Sequence, residues 1–137
     1  MNKLLAPLPF SQVGIFVIRL IVGALMIYHG MEIFYAAKMN PYLEWDVFKS
    51  SAGKTLIYAG KAAELIAGVL LFLGLFTRIA CVILIGTMAY IAFFIGEGRI
   101  WYQEQHPFLF VLLGFVFLFI GPTIYSLDHL IFRNKKV

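Results

Sequence analysis

Residues 55–95 read TLIYAGKAAELIAGVLLFLGLFTRIACVILIGTMAYIAFFI, two apolar runs with only Thr77 and Arg78 between them. Each is near the roughly 17–25 residues that an α-helix needs to cross about 30 Å of hydrocarbon. Backbone groups at that depth find no water and must be satisfied within the segment, so both runs are expected to be helical. A two-residue connection forces them into an antiparallel hairpin with Arg78 at its tip. Lys61 and Glu64 stand inside the first run, three positions apart and on one helix face. A charge at membrane depth costs at least about 2.5–3.5 kcal/mol, so such residues face a partner, a cavity or a bound molecule.

Further apolar stretches lie on both sides of this hairpin. They complete four expected spans, residues 13–34, 55–76, 79–95 and 108–125, in a single domain covering residues 1–137. The segments show no period-two alternation, which excludes a β-barrel. The expected fold is all-α, an integral membrane antiparallel four-helix bundle. Composition agrees, with 62% hydrophobic and 13% charged residues and a mean hydropathy of +0.91, against about a quarter charged in soluble domains. The one cysteine, Cys81, lies in an apolar run, so the chain has no disulfide framework of its own. The net charge of +4 comes from scattered basic residues without a basic run. The expected partner is therefore the lipid bilayer with its anionic headgroups, not nucleic acid.

Four spans place both termini on the side of Arg78. That side carries Lys3, Arg78, Arg133, Lys135 and Lys136, and the other carries Lys38, Lys49, Lys54 and Arg99. The positive-inside tendency then assigns the termini to the cytoplasm. No small-residue cleavage site follows the first apolar run, so that span is expected to be retained. The loop at residues 35–54 has Tyr42, Trp45 and Phe48 at a spacing of three after an Asn40-Pro41 turn. This predicts a short interfacial helix, serving either as an aromatic belt or as a lid over the bundle mouth.

Glu64 precedes Arg78 by fourteen residues, about 21 Å along a helix, deep enough to be desolvated. Gly60, Glu64, Ala67 and Gly68 share a small-residue face that admits a neighbouring helix and turns Glu64 into the bundle. Two readings follow. Lys61 neutralises Glu64 within the helix, or it snorkels outward and leaves Glu64, whose charged form burial disfavours, to exchange protons with a bound molecule. His29, followed by Glu32 one turn later, is expected either as a hydrogen-bond donor or proton carrier beside Glu64 or as a packing residue. Glu64 and His29 are thus the candidate catalytic pair. Lys61, Glu32 and His106, the last in a loop with Trp101, Tyr102 and Pro107, are candidate substrate-binding groups.

No second His/Glu pair supports a di-iron site, and His106 and His129 fall outside the spans at opposite ends, so neither metal nor haem is expected. At the other end of the bundle, Arg19, Arg78 and Asp128 are expected to form structural ion pairs, with an anion site as the alternative. No phosphate-binding loop, dinucleotide glycine fingerprint or nucleophile elbow is present.

Arg19-Leu20 with Gly23, His29-Gly30, Glu64 with Gly68 and Gly74, Thr77-Arg78, then Gly121-Pro122 followed by Ser126-Leu127-Asp128 occur in an order that resembles the DoxX family of small bacterial membrane proteins. The resemblance covers about residues 15–130 and is most specific at Gly74 to Arg78 and Gly121 to Asp128. The chain departs from the family pattern at Ile33, where a basic residue is frequent, and at Thr123, where a second glycine is expected. The resemblance implies a four-helix bundle in the bacterial inner membrane and a place beside thiol and redox enzymes or in thiosulfate:quinone oxidoreduction. The expectation is a redox subunit that binds a quinone or small sulfur substrate near the outer leaflet. It would require a cofactor-bearing redox partner protein and could form a homo-oligomer. The rival expectation is a non-enzymatic scaffold or assembly factor. A third, a small-molecule transporter, lacks the internal repeats usual for one.

Overall fold

The computed structural model describes residues 11–133. Lys3, Lys135 and Lys136, which enter the charge argument for orientation, lie outside the described residues. Helix α1 (Ser11–Gly30) continues as a 3-10 turn over Met31–Phe34. The short α2 (Ala36–Leu43) and a 3-10 turn at Asp46–Phe48 lead into α3 (Gly53–Leu73). Then come α4 (Thr77–Tyr90), prolonged by a π-turn at Ile91–Ile95, α5 (Gln105–Ile120) and the short α6 (Leu127–Phe132).

Three helical stretches are long and apolar enough to cross a membrane, Ser11–Phe34, Gly53–Leu73 and Thr77–Ile95. Helix α5 is a fourth, shorter apolar helix of 16 residues, about 24 Å long. The span expected to reach residue 125 ends at Ile120, because Gly121 adopts a φ of 75° and Pro122 cannot continue the helix. The all-helical membrane architecture stands, with three full-length candidates and this shorter fourth helix.

Helix α1 packs on α3, α3 on α4 and α4 on α5, and a narrow contact between α5 and α1 closes the ring. Glycines set the α1–α3 distance. A Cβ added at Gly23 would lie 2.7 Å from the backbone nitrogen of Phe72, at Gly30 2.5 Å from Cα of Leu65, and at Gly68 2.6 Å from the nitrogen of Ile27. Backbone therefore rests on backbone there, as small residues permit between membrane helices. The main core runs through Met26, Ala67, Leu71, Ala80, Leu84 and Phe117. A smaller cluster of Met39, Phe48 and Ile57 holds α2 and the following turn against α3.

The expected hairpin is present, and its tip is closed by backbone geometry. Gly74, with a φ of 66°, ends α3; its N–H donates to the Leu71 carbonyl (3.1 Å), and that of Leu75 to the Leu70 carbonyl (2.9 Å). Phe76 is also left-handed, with a φ of 48°, and Thr77 starts α4. The Asp128 carboxylate accepts from the backbone N–H of Phe76 (2.6 Å) and of Thr77 (2.7 Å). This corrects the expected ion pairs among Arg19, Arg78 and Asp128. Among the described residues no arginine forms a salt bridge with Asp128, because backbone donors at the start of α4 already hold its oxygens. Arg19 is buried and donates to the Tyr125 carbonyl at 2.8 Å, and Arg78 is exposed.

Asn40-Pro41 is not a turn ahead of a helix. Both residues lie in the latter part of α2, which begins at Ala36 and ends two residues after Pro41. Tyr42 therefore belongs to α2, Trp45 to the connection, and Phe48 to the 3-10 turn.

Candidate functional site

The end of the bundle opposite the hairpin contains a cavity of about 440 Å³. Helix α3 contributes Gly60, Lys61 and Glu64, α4 and its π-turn contribute Gly86, Thr87, Met88, Ile91 and Ile95, and α5 contributes His106, Pro107 and Phe110. His29 enters from α1, and Tyr42, Trp45 and Phe48 from α2 and the residues after it. The walls are mostly apolar, with the polar groups gathered towards α1 and α3.

Lys61 organises those polar groups. Its Nζ lies 3.0 Å from Oε2 of Glu64 and 2.9 Å from Oε2 of Glu32. The Tyr42 hydroxyl donates to the same Glu32 oxygen at 2.9 Å. Lys61 also sits 5.1 Å from the centre of the Tyr42 ring, within cation–π range. Of the two readings open at the level of sequence, the pairing with Glu64 is present, and Lys61 does not snorkel outward. It additionally crosses to Glu32 on the α1 extension, a contact that sequence spacing did not reveal. Glu64 is 4% exposed. The Lys61 bond takes its Oε2, and no hydrogen bond within the described residues engages Oε1.

His29 shares the cavity with Glu64, but its nearest acidic partner is Glu32, with Nδ1 at 4.0 Å from Oε1. His106 lies in the first turn of α5, not in the preceding loop. Its ring centre is 5.9 Å from that of His29 and 5.0 Å from that of Phe110. The five residues Glu64, His29, Lys61, Glu32 and His106 thus converge at one end of the bundle, although Glu32 stands behind Lys61 and does not line the cavity. Among the described residues, no group of three His, Cys, Asp or Glu side chains is arranged to hold a metal ion.

Tyr42 is a polar contributor that its aromatic spacing with Trp45 and Phe48 does not reveal, since the phenol's bond to Glu32 depends on the fold. Burial is the largest influence on its phenol and lifts it above the ordinary range. The nearby Lys61 charge opposes that rise and the Glu32 carboxylate adds to it. The Tyr42 and Trp45 rings lie 5.1 Å apart and those of Trp45 and Phe48 6.3 Å apart, a run of aromatic rings along one side of the cavity.

Chemically, two carboxylates share one ammonium ion. The arrangement can hold a hydrogen-bonding head group against Glu64 and the two histidines while apolar walls take the rest of the ligand.

A family model for DoxX matches residues 14–97, which include Arg19, His29, Glu32, Lys61, Glu64 and Arg78. An uncharacterized protein of Haemophilus influenzae is 30% identical over 128 residues, covering 85% of this chain and 90% of that relative. No solved structure matches the chain. The family model covers α1, α3 and α4 but ends before α5 and its His106, and the relative spans most of the chain; the chain belongs to the DoxX family.

Proposed function

We propose that the chain is a redox-associated membrane subunit whose cavity, near the outer leaflet, binds a quinone-like molecule. The observation that carries this reading is the apolar cavity of about 440 Å³ lined by Lys61, Glu64, His29 and His106, the first three on stretches long and apolar enough to cross a membrane. Its size falls in the range of about 300–1,000 Å³ usual for small-molecule sites. An uncharged ring bearing carbonyl groups suits such a place, with Lys61 or a histidine donating to a carbonyl and Glu64 exchanging a proton. Reduction of a quinone consumes two electrons and two protons. The electrons would come from a cofactor-bearing partner protein, and the protons would pass through Glu64 and His29. A small sulfur anion is the less favourable occupant, because Glu32 and Glu64 outnumber Lys61 and their field repels a negative charge.

One observation favours the scaffold reading as well: Lys61 and both carboxylates are already paired within the chain. Lipid-quinone content separates the two. The protein is purified in mild detergent as wild type and as Glu64→Gln, and extracted lipids are quantified by mass spectrometry. Near-stoichiometric quinone in the wild type and its loss in the variant are expected. A thoroughly washed wild type without quinone would transfer the weight to a scaffold acting through protein contacts.

A further inference from the structure

We infer that the cavity is entered sideways from the bilayer, through a gap between α3 and α4 that Gly60 and Gly86 keep open. Its occupant is then a membrane-dissolved amphiphile with an uncharged head and a hydrocarbon tail that lies in this gap. The inference rests on the binding reading above and adds the route and the tail.

The two helices are tied together at the hairpin, where Leu71, Ala80, Cys81 and Leu84 are all 0% exposed. At the cavity end the same pair is less closely packed. Leu56 of α3 and Tyr90 of α4 line the cavity yet are 41% and 39% exposed, so the cavity wall is also the outer surface of the bundle. Gly60 and Gly86 line it from the same two helices, and a Cβ added at either finds nothing within 4 Å. Gly23, Gly30 and Gly68, in contrast, would each strike the backbone of a facing helix within 3 Å. The latter three are packing glycines. Gly60 and Gly86 serve no contact of that kind, and glycine inside a helix is disfavoured relative to alanine. What they leave is a notch on each side of one opening.

The outer end of the cavity has a different character. Tyr42, Trp45 and Phe48 line it with successive rings, Phe48 buried at 6% and Trp45 47% exposed at the mouth of the bundle. A long hydrocarbon tail leaving at that end would meet polar residues and water, whereas the gap flanked by Leu56 and Tyr90 keeps it against apolar surface. The head group stops at Lys61 and Glu64, whose combined charge with Glu32 disfavours an anionic phospholipid head. A lipid quinone, uncharged at the head and long in the tail, meets both conditions.

The test is to place leucine in the notch. Gly86→Leu and Gly60→Leu are prepared in a Trp101→Phe background, so that Trp45 alone reports the cavity by fluorescence, and are reconstituted in lipid nanodiscs. Binding is measured for a ubiquinone with a long isoprenoid tail and for a ubiquinone analogue with no tail. We expect the leucine variants to lose at least tenfold in affinity for the long-tailed quinone and to stay within twofold of wild type for the tailless one. Glu64→Gln should weaken both. The leucine variants should melt no lower than the background protein, because a Cβ at either position meets nothing within 4 Å and a helix gains from losing a glycine. Equal weakening of both quinones, or unchanged binding of both, would overturn the lateral route while leaving the binding site in place. Failure of the background protein to bind either quinone would overturn the binding reading itself.

Discussion

Lys61 on α3 and Glu32 on the 3-10 extension of α1 meet at 2.9 Å, which ties two helices together through a largely buried charge pair. The same ammonium holds Glu64 at 3.0 Å. Removing it leaves two carboxylates facing each other with little water, since their side chains are only 18% and 5% exposed.

Lys61→Met is therefore expected to destabilise the protein by about 3–5 kcal/mol, the usual consequence of orphaning a buried charge. Adding Glu32→Gln and Glu64→Gln to the same chain should restore most of that loss. Thermal unfolding in detergent measures both steps. A single variant that melts with the wild type would show that water, not Lys61, neutralises the carboxylates.

At the hairpin, Asp128 acts on backbone and not on an arginine. Replacing it with alanine exposes the N–H groups of Phe76 and Thr77 at the start of α4. A loss of about 1–3 kcal/mol is expected. Arg78→Ala, which touches an exposed side chain, should stay within about 0.5 kcal/mol. If the two variants lose stability equally, an ion pair between them exists after all.

The contrast between those residues shows where sequence reasoning reached and where it stopped. Thr77-Arg78 between two apolar runs is sufficient to place the hairpin, whereas three-residue spacing offers the Lys61–Glu64 pairing only as one of two readings, which the structure decides. The partners of Asp128 are backbone groups presented by the left-handed Phe76, and matching charges along a sequence does not find them. The Lys61–Glu32 contact depends on Gly30 letting α1 approach Leu65 and on the helix tightening into a 3-10 turn at Met31. Hydrophobic periodicity reports neither. Helix α5 begins at Gln105, slightly before its apolar run, so hydropathy alone leaves His106 outside the helix. The early end of α5 did have a signal, since Gly121-Pro122 is a frequent helix stop.

Tyr42 should titrate late. Its neutral phenol is the form that donates to Glu32, and burial raises the value at which it ionises. The stabilisation from this bond is fully present below the ordinary tyrosine value of about 10 and is lost as pH rises through the higher folded-state value. Difference absorbance at alkaline pH between wild type and Tyr42→Phe should show one of the seven tyrosines ionising above the ordinary range. Tyr42→Phe itself should cost about 1–2 kcal/mol at neutral pH. A missing phenolate signal of ordinary midpoint would place Tyr42 in free water.

Two glycine-to-alanine changes should have opposite signs. At Gly68 the new methyl would lie 2.6 Å from the backbone nitrogen of Ile27 and 2.9 Å from Cβ of Met26, and only movement of α1 as a whole can relieve the first contact. A loss of about 1–3 kcal/mol is expected, as for overpacking elsewhere. At Gly86 the methyl meets nothing within 4 Å, and the helix gains from reduced freedom in the unfolded chain. Gly86→Ala should therefore stabilise the protein by about 0.4–1 kcal/mol. Both can be read from the same detergent unfolding series. If Gly68→Ala is harmless, α1 and α3 are farther apart than their glycines imply, and the Lys61–Glu32 contact, which needs that closeness, weakens with them. If Gly86→Ala destabilises, the opening between α3 and α4 is filled by a neighbouring helix or a second copy of the chain.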